Sequence, residues 1–310
     1  MLAGLTSKVI LLAALFQPVS LALAQSPAGA PIRIVDDRGH TQFFSRSPLR
    51  IASLLPSLTE SVCALGQCDR LAGVDRYSNF PASVRQLPVL GGGLDPNIEA
   101  IVALRPDVVL LAPSALRAVV RLESLGLKVV ALEPKTHSDV RRVLQTLGLL
   151  LAVPESTGAG RVWQAIDADI SAAARTLPLG AKASRVYFAV GSSGYAASES
   201  SFIGETLLSL GVNNVVPAAL GPFPKLNPEF VVQANPDIWM GSSTGALLAT
   251  PYPGWKSIRA VKEQRICRFD AAQTDVLVRA GPRMAEAARL MAACIEKYAM
   301  NKPRLADAAR

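Results

Sequence analysis

The chain has 310 residues, of which 50% are hydrophobic and 5% aromatic, and its formal charge at pH 7 is +8. This length suits about two domains, and an aliphatic interior with few rings favours an α/β fold over a β-sandwich. The basic residues are scattered and do not alternate with aromatic residues. This distribution argues against a nucleic-acid-binding protein.

Residues 1–24 have the composition of a secretory signal peptide. Lys8 supplies the positive region, residues 9–16 are apolar, and the Ala-Leu-Ala sequence at 22–24 is a cleavage site of the A-x-A type. The apolar run is too short to span a membrane, and no cysteine follows it to carry a lipid. We therefore expect cleavage after Ala24 and a periplasmic mature protein.

The next segment alternates between strand and helix patterns. Residues 32–44 predict a small β-hairpin. A buried strand at 50–55 is followed by a helix at 58–66, which ends at a glycine, and then by a short strand at 71–74. Residues 121–132 repeat the order of helix, glycine and strand. Such alternation predicts βαβ units and a parallel sheet.

One helix-to-strand unit occurs twice in the sequence. The segments NIEAIVALRPDVVLL (97–111) and NPEFVVQANPDIWMG (227–241) share Asn, Glu two residues later, an apolar helical stripe, Pro-Asp and an apolar run. Asn97 is a fair N-cap, Pro228 suits the first helical position of the second segment, and the glutamates are Glu99 and Glu229. The repeat predicts two similar α/β halves.

The second half follows the same scheme. Strands are expected at 185–190 and 265–270, and helices at 202–211 and 282–299. Between the halves, the segment 154–177 has apolar residues every three to four positions from about Arg161, so it predicts one amphipathic helix. A helix of about 17 residues spans roughly 25 Å, enough to bridge two lobes.

The predicted architecture is α/β, with two similar lobes that have mainly parallel sheets, joined by a single long rigid helix. A ligand cleft is expected between the lobes, where ligands bind in parallel α/β folds. The expected boundaries are the signal peptide at 1–24, an N-terminal lobe at 25–153, the linking helix at 154–180, a C-terminal lobe at 181–300 and a tail at 301–310.

Four cysteines in an exported chain indicate disulfides. Three pairings are possible. Cys63 and Cys68 are close in sequence, and Cys267 and Cys294 lie in the last predicted strand and the last predicted helix. We favour these two pairs, and free buried thiols are the alternative.

The sequence contains a catalytic motif without the partner residue that it needs. The sequence GSSTG at 241–245 matches the nucleophile elbow of α/β-hydrolases around Ser243, but that arrangement needs a histidine later in the chain. The chain has only His40 and His137, and both precede Ser243. Two distant histidines also argue against a transition-metal receptor. We therefore expect no enzyme, no cofactor and no metal, and a secreted serine hydrolase is the remote alternative.

Candidate binding residues lie in predicted loops at the cleft edge. Tyr77 and Phe80 follow a strand, Phe223 stands between two prolines, and Asp275 and Arg279 precede the last helix. Rings, an acid and a guanidinium together suit a large, flat ligand rich in amides. The alternatives are ordinary packing for Tyr77 and Phe223, and an i, i+4 surface ion pair for Asp275 and Arg279.

Over residues 32–299 the sequence resembles the periplasmic substrate-binding proteins of ABC importers for cobalamin, haem and iron-siderophores. The segments RIASLLPSLTESVCALG, GVDRYSNFP, NIEAIVALRPDVVLL and PGWKSIRAVKEQRI match four motifs of this class in the same order. The resemblance implies two α/β lobes on one rigid helix, and a monomer that delivers a small molecule to a membrane permease dimer.

Within this class the sequence is most similar to the vitamin B12-binding branch. That resemblance places Tyr77 in the wall of a corrin cleft with Ser57 near it, Phe223 as an aromatic cap, and Asp275 and Arg279 in the D-x-x-x-R-x-G-P-R segment. It implies a bound corrinoid, cobalamin or cobinamide.

The resemblance also suggests alternative ligands and a role for the glutamates of the repeated segment. The B12 branch can place a tryptophan in the cleft where this chain has GGGLDP (91–96), and Gly92 of this segment is expected at the cleft rim. Haem or a ferric siderophore is the alternative ligand, with Tyr77 as a phenolate ligand if haem is bound. In the class, the glutamates that correspond to Glu99 and Glu229 dock on the permease; simple stabilisation of the helix ends is the alternative.

Overall fold

The computed structural model describes residues 31–191, 193–242 and 252–299. The predicted signal peptide, the predicted tail at 301–310 and the hydrolase candidate Ser243 lie outside these residues. Among the described helices, none combines the length and the apolar character needed to cross a membrane.

The first half is a hairpin followed by a parallel sheet. The hairpin consists of β1 (Ile32–Val35) and β2 (Thr41–Phe44), antiparallel as expected. The other elements of this half are β3 (Ile51–Ser53), α1 (Pro56–Ala64), β4 (Leu71–Val74), α2 (Ile98–Ala103), β5 (Val108–Leu111), α3 (Leu116–Ser124), β6 (Val129–Ala131) and α4 (His137–Leu150). The strand order is β4-β3-β5-β6, with all neighbours parallel.

The second half contains a second, mainly parallel sheet. Its elements are α5 (Ala159–Thr176), β7 (Arg185–Val190), β8 (Tyr195–Ala196), α6 (Phe202–Ser209), β9 (Asn213–Asn214), α7 (Pro228–Ala234), β10 (Ile238–Ser242), α8 (Arg259–Lys262), β11 (Ile266–Phe269), α9 (Ala271–Val278) and α10 (Met284–Ala299). The strands β7, β10 and β11 are parallel neighbours, β9 pairs with β7 in parallel, and β8 is antiparallel to β7.

The two halves share one hydrophobic core. It contains residues of β3, β5, β7 and β10 together with the apolar faces of α4, α5 and α10. Two smaller cores cover the opposite faces of the two sheets. Burial on both faces explains why β5 is a continuous apolar run, as in other parallel sheets.

The sequence repeat is reproduced in the structure. The N-caps of α2 and α7 are Asn97 and Asn227, whose side chains accept backbone N–H groups of the first turn. Asp107 and Asp237 follow these helices, and each carboxylate accepts a backbone N–H group at the start of the neighbouring strand or just before it. Arg50 and Arg185 supply those groups, so each Pro-Asp pair joins its helix to the central strand of a sheet.

The linking helix α5 has 18 residues, which corresponds to about 27 Å. Its buried residues Ile166, Ile170 and Ala173 belong to the shared core, and Asp169 forms an ion pair with Arg289 of α10 at 3.0 Å. Helix α10 therefore packs against the linking helix. The predicted fold class is confirmed. The lobe boundaries given above stay predictions.

The four-residue helix α8 was not expected from the sequence, and neither were two longer helices, α4 and α9. Each of the two longer helices begins with a capping box, formed by Thr136 and Asp139 in α4 and by Asp270 and Gln273 in α9. The segment with Asp275 was interpreted as a loop, and the structure corrects this: Asp275 lies on α9, which begins directly after β11 because Asp270 caps it.

Both favoured cysteine pairs are disulfide-bonded in the structure. Cys63 is joined to Cys68 at the end of α1, and Cys267 of β11 is joined to Cys294 of α10. The second bond fixes the last helix to the edge strand of the second sheet.

Candidate functional site

A cavity of about 460 Å³ lies between the two halves, at the carboxyl ends of their strands. It is lined by residues from both halves, including five of the predicted binding residues: Ser57, Tyr77, Phe223, Asp275 and Arg279. Ligand sites of parallel α/β folds lie at this edge of the sheet, and their volumes are of this order. The fold therefore brings together residues that are separated by more than half of the chain.

The apolar wall of the cavity is aromatic and aliphatic. Phe223 packs edge-to-face against Phe202, the first residue of α6, with their ring centroids 5.9 Å apart. Ile203 and Val190 continue this wall. Tyr77 contributes a ring from the first half, and 59% of this residue is exposed. Rings from both halves therefore face the same space and can contact a flat ligand.

A buried ion network lies beside the cavity, and Arg279 is the member of it that lines the cavity. Glu60 of α1 has a side chain that is only 2% exposed. One of its oxygens accepts from Arg279 at 2.9 Å and from Arg283 at 2.8 Å, and the other accepts from Arg283 Nε at 3.0 Å. Because Glu60 belongs to the first half and both arginines to the second, this carboxylate joins the two halves beside the cavity.

Arg279 is held by further groups on both sides. Its Nη1 also donates to Asn79 Oδ1 at 2.8 Å, and its Nη2 donates to the carbonyl oxygen of Tyr77 at 2.9 Å and pairs with Asp275 at 2.8 Å. Asn79 also donates to Asp275 at 2.7 Å. The N–H groups of both terminal nitrogens of Arg279 thus have acceptors within the protein.

This geometry changes the interpretation of Arg279. The i, i+4 pair with Asp275 exists, but Arg279 is buried, so the pair is not a surface ion pair. Its guanidinium ties Tyr77 and Asp275 to Glu60, and this arrangement fixes two cavity residues relative to each other. Arg279 is therefore placed to position the wall of the cavity, while Asp275 and Tyr77 present polar atoms toward it.

Asp75 supports the loop that carries Tyr77. Its carboxylate accepts from the backbone N–H of Tyr77 at 3.0 Å and from the hydroxyl of Ser78 at 2.5 Å. The residue is 1% exposed, and this burial raises the pKa of Asp75 above its ordinary value, although the two hydrogen bonds and the charge of Arg279 act in the opposite direction.

Phe80 and Gly92 do not line this cavity. The guanidinium of Arg283 lies over the ring of Phe80, 4.3 Å from its centroid, and Phe80 lines a neighbouring cavity of about 430 Å³. Gly92 lies in a turn with Asp95, whose carboxylate would clash with any side chain at position 92. Both residues therefore lie outside the lining of the cavity between the halves.

Glu99 and Glu229 lie in the first turns of α2 and α7, and both side chains are exposed. They occupy equivalent places in the two halves, since each follows its N-cap asparagine by two residues. An acid in the first turn is favoured by the helix dipole, which accounts for their local stability but leaves their carboxylates open to a partner.

Sequence reasoning missed Glu60 and Arg283. Glu60 follows Thr59 in the PSLTE segment, and Arg283 ends the segment that begins at Asp275. A single charged residue in a helix of apolar and small polar residues, such as α1, is a signal of pairing, because an unpaired charge is rarely buried. The partner lies more than 200 residues away, and local patterns do not reveal it.

Proteins with similar sequences are described as substrate-binding or cobalamin-binding proteins. An uncharacterised ABC transporter substrate-binding lipoprotein of Bacillus subtilis, YvrC, is 27% identical over 86% of this chain and 85% of its own length. A cobalamin-binding protein of Halobacterium salinarum is 29% identical over 75% of this chain and 64% of its own length.

Solved structures share the fold. The periplasmic vitamin B12-binding protein BtuF of Vibrio cholerae superimposes with a TM-score of 0.66 at 23% identity, over 83% of this chain and 99% of its own. A periplasmic haem-binding protein of Pseudomonas aeruginosa gives a TM-score of 0.65 at 26% identity, over 81% of this chain and 93% of its own. A family model described as periplasmic binding protein matches residues 51–272. The chain belongs to the periplasmic binding protein family.

Proposed function

We propose that this protein is the exported substrate-binding component of an ABC importer, and that it captures a corrinoid, cobalamin or cobinamide, in the cavity between its halves. The observation that carries the proposal is the convergence of Tyr77, Phe223 and Asp275 on one cavity at the carboxyl ends of both sheets. The protein releases its ligand unchanged to a membrane permease, acts as a monomer and works in the periplasm after cleavage behind Ala24.

The lining chemistry supports a corrinoid. Aromatic faces from both halves supply contact area for a flat macrocycle, and Asp275 and Tyr77 supply an acceptor and a hydroxyl for the amides at its edge. The cobalamin-binding relative from Halobacterium salinarum supports the same choice. Phe223 is the aromatic residue that we assign to the face of the ring.

Haem is the second candidate ligand, and Tyr77 is the observation that favours it. Its side chain is exposed at the cavity, so its phenolate could coordinate a ferric iron. The structural similarity to a haem-binding protein of Pseudomonas aeruginosa supports this candidate as well.

Titration of the purified mature protein distinguishes these candidates. Cyanocobalamin, dicyanocobinamide and hemin are added separately, and calorimetry and visible absorbance are followed together. We expect saturable one-to-one binding of a corrinoid without binding of hemin. Binding of hemin with a tyrosinate-type iron spectrum would instead establish the second candidate, and binding of none of the three would overturn the proposal.

The repeated glutamates suggest the partner. Glu99 and Glu229 are exposed, lie at equivalent positions of the two halves and start helices whose N-caps are alike. A permease with two equivalent halves would present the same basic site twice, and two equivalent carboxylates match such a surface. We assign both residues to docking on the permease dimer.

A further inference from the structure

Two cations line the cavity among the residues that the structure describes, Arg279 and Lys135. The terminal N–H groups of Arg279 are engaged by Glu60, Asn79, Asp275 and the carbonyl group of Tyr77. A ligand that carries a negative charge therefore meets the second cation, since the charge of Arg279 is already neutralised by the carboxylates of Glu60 and Asp275.

Lys135 combines a fixed backbone with an exposed side chain. It lies between β6 and α4, where its N–H donates to Asp139 at 3.1 Å and its carbonyl oxygen accepts from the backbone N–H of Phe202 at 2.7 Å. Its side chain is 53% exposed, and its ammonium is 3.6 Å from the carboxylate of Glu133. This separation is longer than a hydrogen bond, and such an exposed pair is weak.

We propose that Lys135 is a specificity-determining residue of the cavity, which pairs with an anionic group at the edge of the ligand, a phosphate or a carboxylate. An ammonium on a flexible stem suits either group as a point charge. Glu133 lies beside it and competes with the ligand for the same ammonium. This inference rests on the proposed function, because it requires a macrocycle in this cavity.

The inference predicts opposite effects for the two neighbours. Lys135→Gln removes the attraction and weakens binding of an acid-bearing ligand, whereas Glu133→Gln removes the competing carboxylate and strengthens it. A purely structural role of either residue would not produce opposite signs. Cobinamide lacks the phosphate of cobalamin, so neither substitution should change its affinity.

The test uses the full mature protein with native disulfides. Cyanocobalamin, dicyanocobinamide and hemin are titrated into the wild type, Lys135→Gln, Glu133→Gln and Lys182→Gln. Lys182 is an exposed lysine outside the cavity, and its substitution changes the net charge equally. For cyanocobalamin we expect an affinity about fivefold lower in Lys135→Gln than in the wild type, which is the size of effect that the loss of an exposed ion pair produces. The affinity of Lys182→Gln should be unchanged. The difference between wild type and Lys135→Gln should shrink at high salt.

The outcomes separate this inference from the proposed function. If hemin is the ligand that binds, the same loss in Lys135→Gln would assign its propionates to Lys135. A wild-type protein that binds an acid-bearing probe, with equal affinity in Lys135→Gln, overturns the inference alone. Equal losses for cyanocobalamin and dicyanocobinamide overturn it too, because only one of them carries a phosphate. Binding of no probe by the wild type overturns the proposed function and the inference with it.

Discussion

The buried carboxylate of Glu60 and the guanidinium of Arg279 form an ion pair of 2.9 Å that joins the two halves of the chain. Arg283 shares the same carboxylate. Removal of the Glu60 carboxylate would leave the two arginines without their shared partner in the protein interior. The stability lost when one partner of a buried pair is removed is larger than the net stability that the pair contributes. The pair therefore fixes the cavity wall as well as the fold.

Substitution of Glu60 tests this relationship. We expect Glu60→Ala to lower the free energy of unfolding by about 3–5 kcal/mol, the range for a buried pair that loses one partner. Denaturant unfolding of the mature protein provides the measurement. Glu155→Ala serves as the control, since Glu155 is exposed and its side chain accepts only from Gln145 in the described contacts. A loss in Glu60→Ala no larger than in the control would show that the two arginines find other partners.

Phe223 tests the position of the ligand. Because it forms part of the apolar wall together with Phe202, Phe223→Ala should weaken corrinoid binding by about 1–3 kcal/mol, the scale of a buried aromatic contact. Calorimetric titration with cyanocobalamin gives this value. Phe43→Ala is the matched control, since Phe43 lies in the hairpin and is 53% exposed. Wild-type affinity in Phe223→Ala would place the ligand elsewhere.

Much of the local structure could be predicted from the sequence. The Asn caps of α2 and α7 and the Pro-Asp turns act over a few residues, so the repeated segments specify the same unit in both halves. The apolar periodicity of α5 also defines the linking helix. These features depend on residues that are close together in the sequence, so they can be predicted from one sequence alone.

The missed features depend on distant partners. Glu60 and Arg279 are 219 residues apart, and no local pattern links an acid in α1 to an arginine after α9. The same holds for the role that we propose for Lys135, because that role follows from the engagement of Arg279 by other groups. The candidate site residues were predicted by type and segment, whereas which of them line the cavity followed only from the packing of the two halves.

The proposed docking role of Glu99 and Glu229 can be tested apart from ligand binding. Glu99→Ala combined with Glu229→Ala should retain the affinity for the ligand, because both side chains are exposed and absent from the cavity lining. The same protein should fail to stimulate the ATPase of its permease in proteoliposomes. Glu155→Ala combined with Glu263→Ala removes two exposed acids elsewhere and should stimulate normally. Normal stimulation by the first double variant would leave only helix-end stabilisation for these residues.

The two disulfides should differ in their contribution to stability. Cys267 and Cys294 are 27 residues apart, whereas Cys63 and Cys68 are only five apart. In the chain-entropy account a longer closed loop gives more stabilisation, about 3–4 kcal/mol for the first pair and about 2 kcal/mol for the second. Paired serine substitutions, compared by denaturant unfolding, measure this difference. An equal or reversed order would indicate that native contacts, rather than loop length, determine the effect.

The burial of Asp75 predicts a specific dependence of stability on pH. Burial raises the pKa of Asp75 above its usual 3.8, so the folded protein binds this proton more tightly than the unfolded chain does. Its contribution to stability is therefore complete below the unfolded pKa and is lost as the pH rises through the folded pKa. Asp75→Asn keeps the hydrogen-bond acceptor for Tyr77 but cannot ionise.

The difference in unfolding free energy between wild type and Asp75→Asn isolates this group. It should shift in favour of the wild type as the pH falls from neutral toward 3.8, because the carboxyl takes up its proton and the cost of burying its charge disappears. Denaturant unfolding of both proteins at several pH values in this range gives the difference. A shift in the opposite direction would mean that the hydrogen bonds from Tyr77 and Ser78, together with Arg279, outweigh burial and hold the carboxylate in its charged form.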